Sequence, residues 1–163
     1  MIKYKTIKYF RIVLFLICLI GLIIKTGIFI DFKPYTFLYF TNISNFIQMI
    51  ITVFLILKPN SSNNVFNFFK LYSLIAMVIT GIVFWTVLLP SGFKSGYGFI
   101  QNTGSLFLHF IAPIMTIIDW VLFHNNFKIK IFYPILWVLM PMAYFIIVYF
   151  VAQMGNFIPN QNT

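Results

Sequence analysis

The segment YFTNISNFIQMIIT (residues 39–52) is apolar enough for lipid, yet it carries Thr41, Asn42, Ser44, Asn45, Gln48 and Thr52. On a helix turning about 100° per residue, Thr41, Ser44, Asn45, Gln48 and Thr52 share about 100° of arc, and Asn42 falls away from them. Hydrocarbon penalises such a face, because nothing there replaces the lost hydrogen bonds with water. The segment therefore predicts a membrane-crossing helix whose polar stripe looks into a bundle. One role for the stripe is helix glue, at about 0.6 kcal/mol per bond. The other is a functional site.

The rest of the chain agrees with a membrane setting. Of the 163 residues, 61% are hydrophobic and 8% charged, against about 25% charged in a soluble domain. Five runs reach the length of about 20 residues that a span needs: roughly 9–30, 37–57, 68–89, 105–123 and 132–151. They predict an all-α polytopic bundle forming a single domain over residues 1–163. The first run has a basic start but no small-x-small cleavage site in GLIIKTGIFID, and so reads as a retained anchor. Lys25, near its far end, is expected to snorkel to the interface.

Charge sets the orientation. With the N-terminus in the cytoplasm, Lys3, Lys5, Lys8, Arg11, Lys58, Lys70, Lys128 and Lys130 lie inside, and Lys25, Lys33 and Lys94 outside. This is a positive-inside pattern with the C-terminus outside. The same distribution argues against nucleic acid as the partner of a chain with net charge +9, since the cations flank apolar runs and form no phosphate-tracking stripe. The 22 Phe and 9 Tyr accompany abundant Ile, Asn and Lys, a codon-level bias rather than a cofactor box. The single Cys18 rules out an intrachain disulfide, and no spacing calls for a metal or another cofactor.

SLFLHFIAPIMTIIDW (105–120) supplies a second polar face. Ser105, His109, Pro113, Thr116 and Trp120 lie within about 80° of arc, with Asp119 at the edge. Pro113 has no N–H to donate and crowds the carbonyl of His109, which predicts a kink with a free acceptor beside the imidazole. An ionisable group inside a span is a functional hypothesis by default. Thr41 and His109 each stand about four residues inside the outer end of their spans, or about 6 Å deep, so a hydroxyl and an imidazole meet if the second and fourth spans are neighbours. Asp119 is about 15 Å deeper. It is expected to be an inner-interface carboxylate paired with Lys58, Lys70 or Lys128. His124 reads as a solvated loop residue.

YFTNISN, LHFIAPIMTIIDW and PMAYFIIVYF together resemble the small bacterial membrane proteins related to the androgen-induced family. The animal members are membrane lipid hydrolases that cleave fatty acid esters of hydroxy fatty acids with an intramembrane threonine and histidine. The resemblance covers roughly residues 9–150 and is strongest at LHxxxPxxxxxDW. It implies that Thr41 stands at the threonine position and His109 at the histidine position, in the bacterial cytoplasmic membrane with membrane lipids as partners. Members usually have a sixth span, and this chain ends after FIPNQNT. A second copy or a partner helix would then complete the bundle.

Chemistry of that kind needs a base to take the threonine proton, for which His109 is the candidate, and donors for the oxyanion, for which Ser44 and Asn45 are. Gln48, Pro113 and Asp119 would support the site. The Gly-rich connection 90–104 is a candidate lid, with Trp85 and Tyr97 at its mouth. The alternative is a non-enzymatic membrane protein, with a structural or binding role, that uses the same faces for packing. Transport ranks lower, because five spans do not divide into inverted halves.

Overall fold

The computed structural model describes residues 4–30, 32, 34–59, 64–90, 103–123 and 131–153. Five helices in it are long and apolar enough to cross a membrane: α1 (Tyr4–Thr26), α2 (Phe40–Leu57), α3 (Asn64–Leu88), α4 (Thr103–Phe123) and α5 (Tyr133–Gln153). The chain is an all-α, multi-pass membrane protein. The boundaries differ from the sequence expectation mainly in the first span, which starts earlier and stops at Thr26. There Gly27 adopts φ 64°, a left-handed conformation that glycine enters without steric cost and that terminates helices. The expected lid lies mostly outside the described residues. Tyr97, Asp31, His124, Lys94, Lys128, Lys130 and the tail from residue 154 lie outside them too.

Helices α1 to α4 form a ring in chain order: α1 packs on α2 and α4, and α3 packs on the same two. Leu14, Cys18, Met77 and Ala112 close its centre. Gly21 permits the tightest approach, since a Cβ there would stand 2.6 Å from Leu108 Cδ2 on α4. Helix α5 lies outside the ring. Its inner end packs against α3, where Tyr133 and Trp137 join Leu71 and Tyr72. Midway along α5, Tyr144 reaches the segment before α2 and donates to the Leu38 carbonyl at 2.6 Å.

The bundle is more polar inside than outside. Arg11, Asn45, Gln48, Thr52, Ser73 and Asp119 are buried, while Ile20, Ile24, Phe54, Leu122, Ile146 and Phe150 face outward. Lipid tails are as apolar as leucine, so burying leucine adds little there. Polar groups gain partners only between helices, and that sorts the faces. The stripe on α2 follows this rule. Gln48 accepts a short hydrogen bond from the Ser73 hydroxyl of α3 and donates to Thr52 Oγ1 at 3.1 Å, so Gln48 and Thr52 are helix glue. Asn42, which the helical wheel places off the stripe, is buried as well and donates to the Thr36 carbonyl at 2.7 Å. The 3-10 turn Pro34–Leu38 folds back over the start of α2 and covers that side.

Candidate functional site

A cavity of about 400 Å³ lies where α1 ends and α2 and α4 begin, the end that the charge pattern assigns to the outer side. Thr41 and His109 both line it, together with Lys25, Thr80 and Tyr144. The remaining wall is largely apolar, from Phe40, Ile79, Val83, Leu88 and Phe145. Val83 and Phe145 are also exposed on the outer surface, so part of the cavity wall on α3 and α5 is continuous with the outside of the bundle.

Thr41 Oγ1 lies 3.4 Å from His109 Nδ1. Thr41 stands in the first turn of α2, whose N-cap, Tyr39, makes no side-chain capping bond. The N–H groups of Asn42 and Ile43 both reach the Tyr39 carbonyl, while those of Phe40 and Thr41 precede the first such bond. The hydroxyl is thus held beside the positive end of a helix. His109 is oriented by packing: Phe84 of α3 stacks on the imidazole, with centroids 5.6 Å apart and planes 20° apart.

The helix around His109 carries a feature that Pro113 alone does not predict. Residues Phe107–Ile111 form a π-turn, with the Ala112 N–H bonded five residues back to the Phe107 carbonyl. A π-turn widens the helix by one residue and is frequent at functional sites. It draws the Ala112 N–H away from its usual acceptor, the carbonyl of Leu108. Asn45 Nδ2 fills that place at 3.1 Å. The π-turn therefore opens the Leu108 carbonyl, and a side chain from α2 occupies it. A second π-turn, Phe84–Leu88, widens α3 where Phe84 meets His109.

The supporting residues resolve differently from the sequence expectation. Asn45 also donates to the Thr41 carbonyl at 2.8 Å, so both amide protons are committed, and its oxygen lies 3.7 Å from Cys18 Sγ. Ser44 donates to the Phe40 carbonyl at 2.7 Å. Neither is a free oxyanion donor. Asn45 ties α2 to α4 and Ser44 bonds within its own helix, because a buried proton takes the nearest carbonyl in a dry interior. Gln48 lies deeper and belongs to the α2–α3 contact. Pro113 is buried outside the cavity wall. Trp85 is exposed and packs against Phe84 and Phe110 rather than lining the mouth.

Asp119 is likewise apart from the cavity, and its partner is none of the lysines considered. Arg11 of α1 clasps it, with Nε–Oδ1 at 2.8 Å and Nη2–Oδ2 at 3.4 Å, and donates a third bond to the Leu55 carbonyl at 3.1 Å. Lys70 lies beside the pair, its ammonium 5.5 Å from the Trp120 ring centroid. Arg11 belongs to the basic N-terminus by sequence. Because α1 begins at Tyr4, it stands two turns inside the helix, where a guanidinium needs a partner.

Lys25 has a partner that sequence reasoning did not foresee. Its ammonium turns inward and donates to Ser105 Oγ of α4 at 3.1 Å, and the side chain lines the cavity. Snorkelling was expected because Lys25 is near the end of the span. Nothing local in the sequence says that Ser105 faces it across the bundle. Tyr144 and Phe84 carry no sequence signal either, in a chain so rich in aromatics. Among the described residues no three His, Cys, Asp or Glu side chains group as metal ligands do. No family model, no curated protein and no solved structure matches this chain.

Proposed function

We propose that this protein is a membrane lipid ester hydrolase that uses Thr41 as nucleophile and His109 as general base. The observation that carries the reading is the 3.4 Å separation of Thr41 Oγ1 and His109 Nδ1 on the wall of a largely apolar cavity. The resemblance of YFTNISN and LHFIAPIMTIIDW to the threonine/histidine hydrolases supports the same assignment. The distance is at the long end of hydrogen bonding, and such contacts tighten when substrate fills a site.

In this reading His109 carries its proton on Nε2, leaving Nδ1 to accept. Thr41 Oγ attacks the acyl carbonyl carbon as His109 Nδ1 takes the hydroxyl proton. The carbonyl π pair moves onto oxygen, and the positive end of α2, at the N–H groups of Phe40 and Thr41, stabilises that charge. Collapse breaks the ester C–O bond, and the leaving alkoxide takes the proton from His109. Water, deprotonated by the same nitrogen, then adds to the acyl carbonyl; collapse breaks the C–Oγ bond, and Thr41 Oγ takes the proton back from His109 as the fatty acid leaves. Phe84 keeps the ring aimed throughout.

A fluorophosphonate probe tests the assignment on the purified protein, since it phosphonylates only an activated hydroxyl. The expected result is one label on Thr41, abolished in Thr41→Ala. An unlabelled wild type, or a label that survives Thr41→Ala, rejects the nucleophile. A second reading is a non-catalytic binding protein. It is favoured by the commitment of the Ser44 and Asn45 protons to backbone carbonyls, which leaves no side-chain donor of α2 for an oxyanion at those positions.

A further inference from the structure

Lys25 raises a problem that the proposed reaction does not answer. An ammonium inside a span is costly unless it is paired or reaches the interface. Lys25 has no acidic partner among the described residues. Its hydrogen-bond partner is the neutral hydroxyl of Ser105. The chain has two acidic residues. One, Asp119, is clasped by Arg11 toward the opposite end of the bundle. The other, Asp31, lies outside the described residues.

A cation in the last turn of a helix is ordinarily a dipole partner. That role does not account for Lys25, whose ammonium reaches across to α4. Two carbonyls near the end of α1 have donors of their own: Leu22 accepts from Thr26 Oγ1 at 2.7 Å, and Ile23 from the Gly27 N–H at 3.1 Å. The ammonium keeps two further protons, and its side chain is on the wall of a cavity of about 400 Å³, within the size range of small-molecule sites. The opposite wall, including Ile79, Val83 and Phe145, suits hydrocarbon.

We propose that Lys25 and Ser105 form an anion-binding subsite in this cavity, which takes the carboxylate or phosphate of a single-chain amphiphile whose tail leaves sideways between α3 and α5. The ammonium donates to the anion, and the Ser105 hydroxyl holds the ammonium in place. The bound anion supplies the counter-charge that the described residues lack. The subsite does not depend on the proposed hydrolysis.

Binding tests it directly. The full chain in neutral detergent is loaded with tritiated laurate and challenged with laurate, dodecyl phosphate, dodecanol or inorganic phosphate. Laurate and dodecyl phosphate should displace the tracer at concentrations at least about tenfold lower than dodecanol does, as a charge-assisted hydrogen bond implies. Lys25→Gln should reduce that preference to within about twofold without changing dodecanol binding, and Lys25→Arg should retain it. Displacement by inorganic phosphate at the same concentrations as dodecyl phosphate identifies a free anion as the ligand; failure to displace identifies a lipid headgroup, and either supports the subsite. The same preference in Lys25→Gln overturns the proposal. So does a wild type without preference that acquires one in Asp31→Asn, since Asp31 would then be the counter-ion. No probe here contains an ester, so the readout is indifferent to hydrolysis.

Discussion

Changing Asp119 to Asn removes one charge and almost no volume from the interior. Arg11 and Asp119 are 3% and 4% exposed, and the guanidinium meets the carboxylate through two nitrogens. Without the carboxylate, Arg11 keeps the Leu55 carbonyl and one amide oxygen. Lys70, on the same small internal gap, also loses its nearest negative charge. Breaking a buried pair from one side costs about 3–5 kcal/mol, and the remaining acceptors place Asp119→Asn near the lower end. About 3 kcal/mol is roughly two decades in the folding equilibrium. Replacing both partners by apolar residues, Arg11→Met with Asp119→Leu, should return stability to within about 1 kcal/mol of the parent, because desolvation and attraction are removed together. Adding Lys70→Met to Asp119→Asn should restore part of the loss. Unfolding by SDS in mixed micelles, followed by tryptophan fluorescence, measures all four proteins. A loss below about 0.5 kcal/mol for Asp119→Asn, or a double apolar variant as unstable as the single one, refutes the view that the pair is dry and structural.

Other perturbations separate glue from site. Gly21→Val should destabilise the bundle by about 1–3 kcal/mol in the same titration, as expected for overpacking, because its Cβ would meet Leu108 at 2.6 Å. Gln48→Leu strands the Ser73 hydroxyl and should cost about 1 kcal/mol, largely recovered on adding Ser73→Ala, without altering fluorophosphonate labelling. His109→Asn should slow labelling of Thr41 by at least about 10²-fold, the scale of general-base assistance, with unfolding close to that of the parent. Labelling at the parental rate would remove His109 from the mechanism.

The polar interior explains why these effects are separable. On α2 a single stripe serves three neighbours. Thr41 faces the cavity, Asn45 bonds the Leu108 carbonyl on α4, and Gln48 takes the Ser73 hydroxyl on α3. Periodicity reports that these side chains share a face. It does not report which helix each one meets. Asn45 shows the limit most clearly, since its acceptor exists only because a π-turn displaces one backbone bond before Pro113.

By itself, the sequence determined the class of the molecule and the inward faces of its helices. A helix that crosses hydrocarbon must be long, apolar and satisfied along its backbone, so length and hydropathy were sufficient for five spans, and the angular spacing of polar residues anticipated the burial of Ser44, Asn45, Gln48 and Thr52 but not of Asn42. It also brought Thr41 and His109 to a common depth, because depth follows from counting residues along a helix. Partners required the tertiary structure. Arg11 rather than a lysine meets Asp119, Lys25 turns inward to Ser105, and Tyr144 reaches back to Leu38. Each contact joins residues far apart in the chain, and their meeting depends on helix order, rotation and the two π-turns. Local sequence encodes the demand of a buried polar group for a partner. Which group answers is decided only when the helices pack.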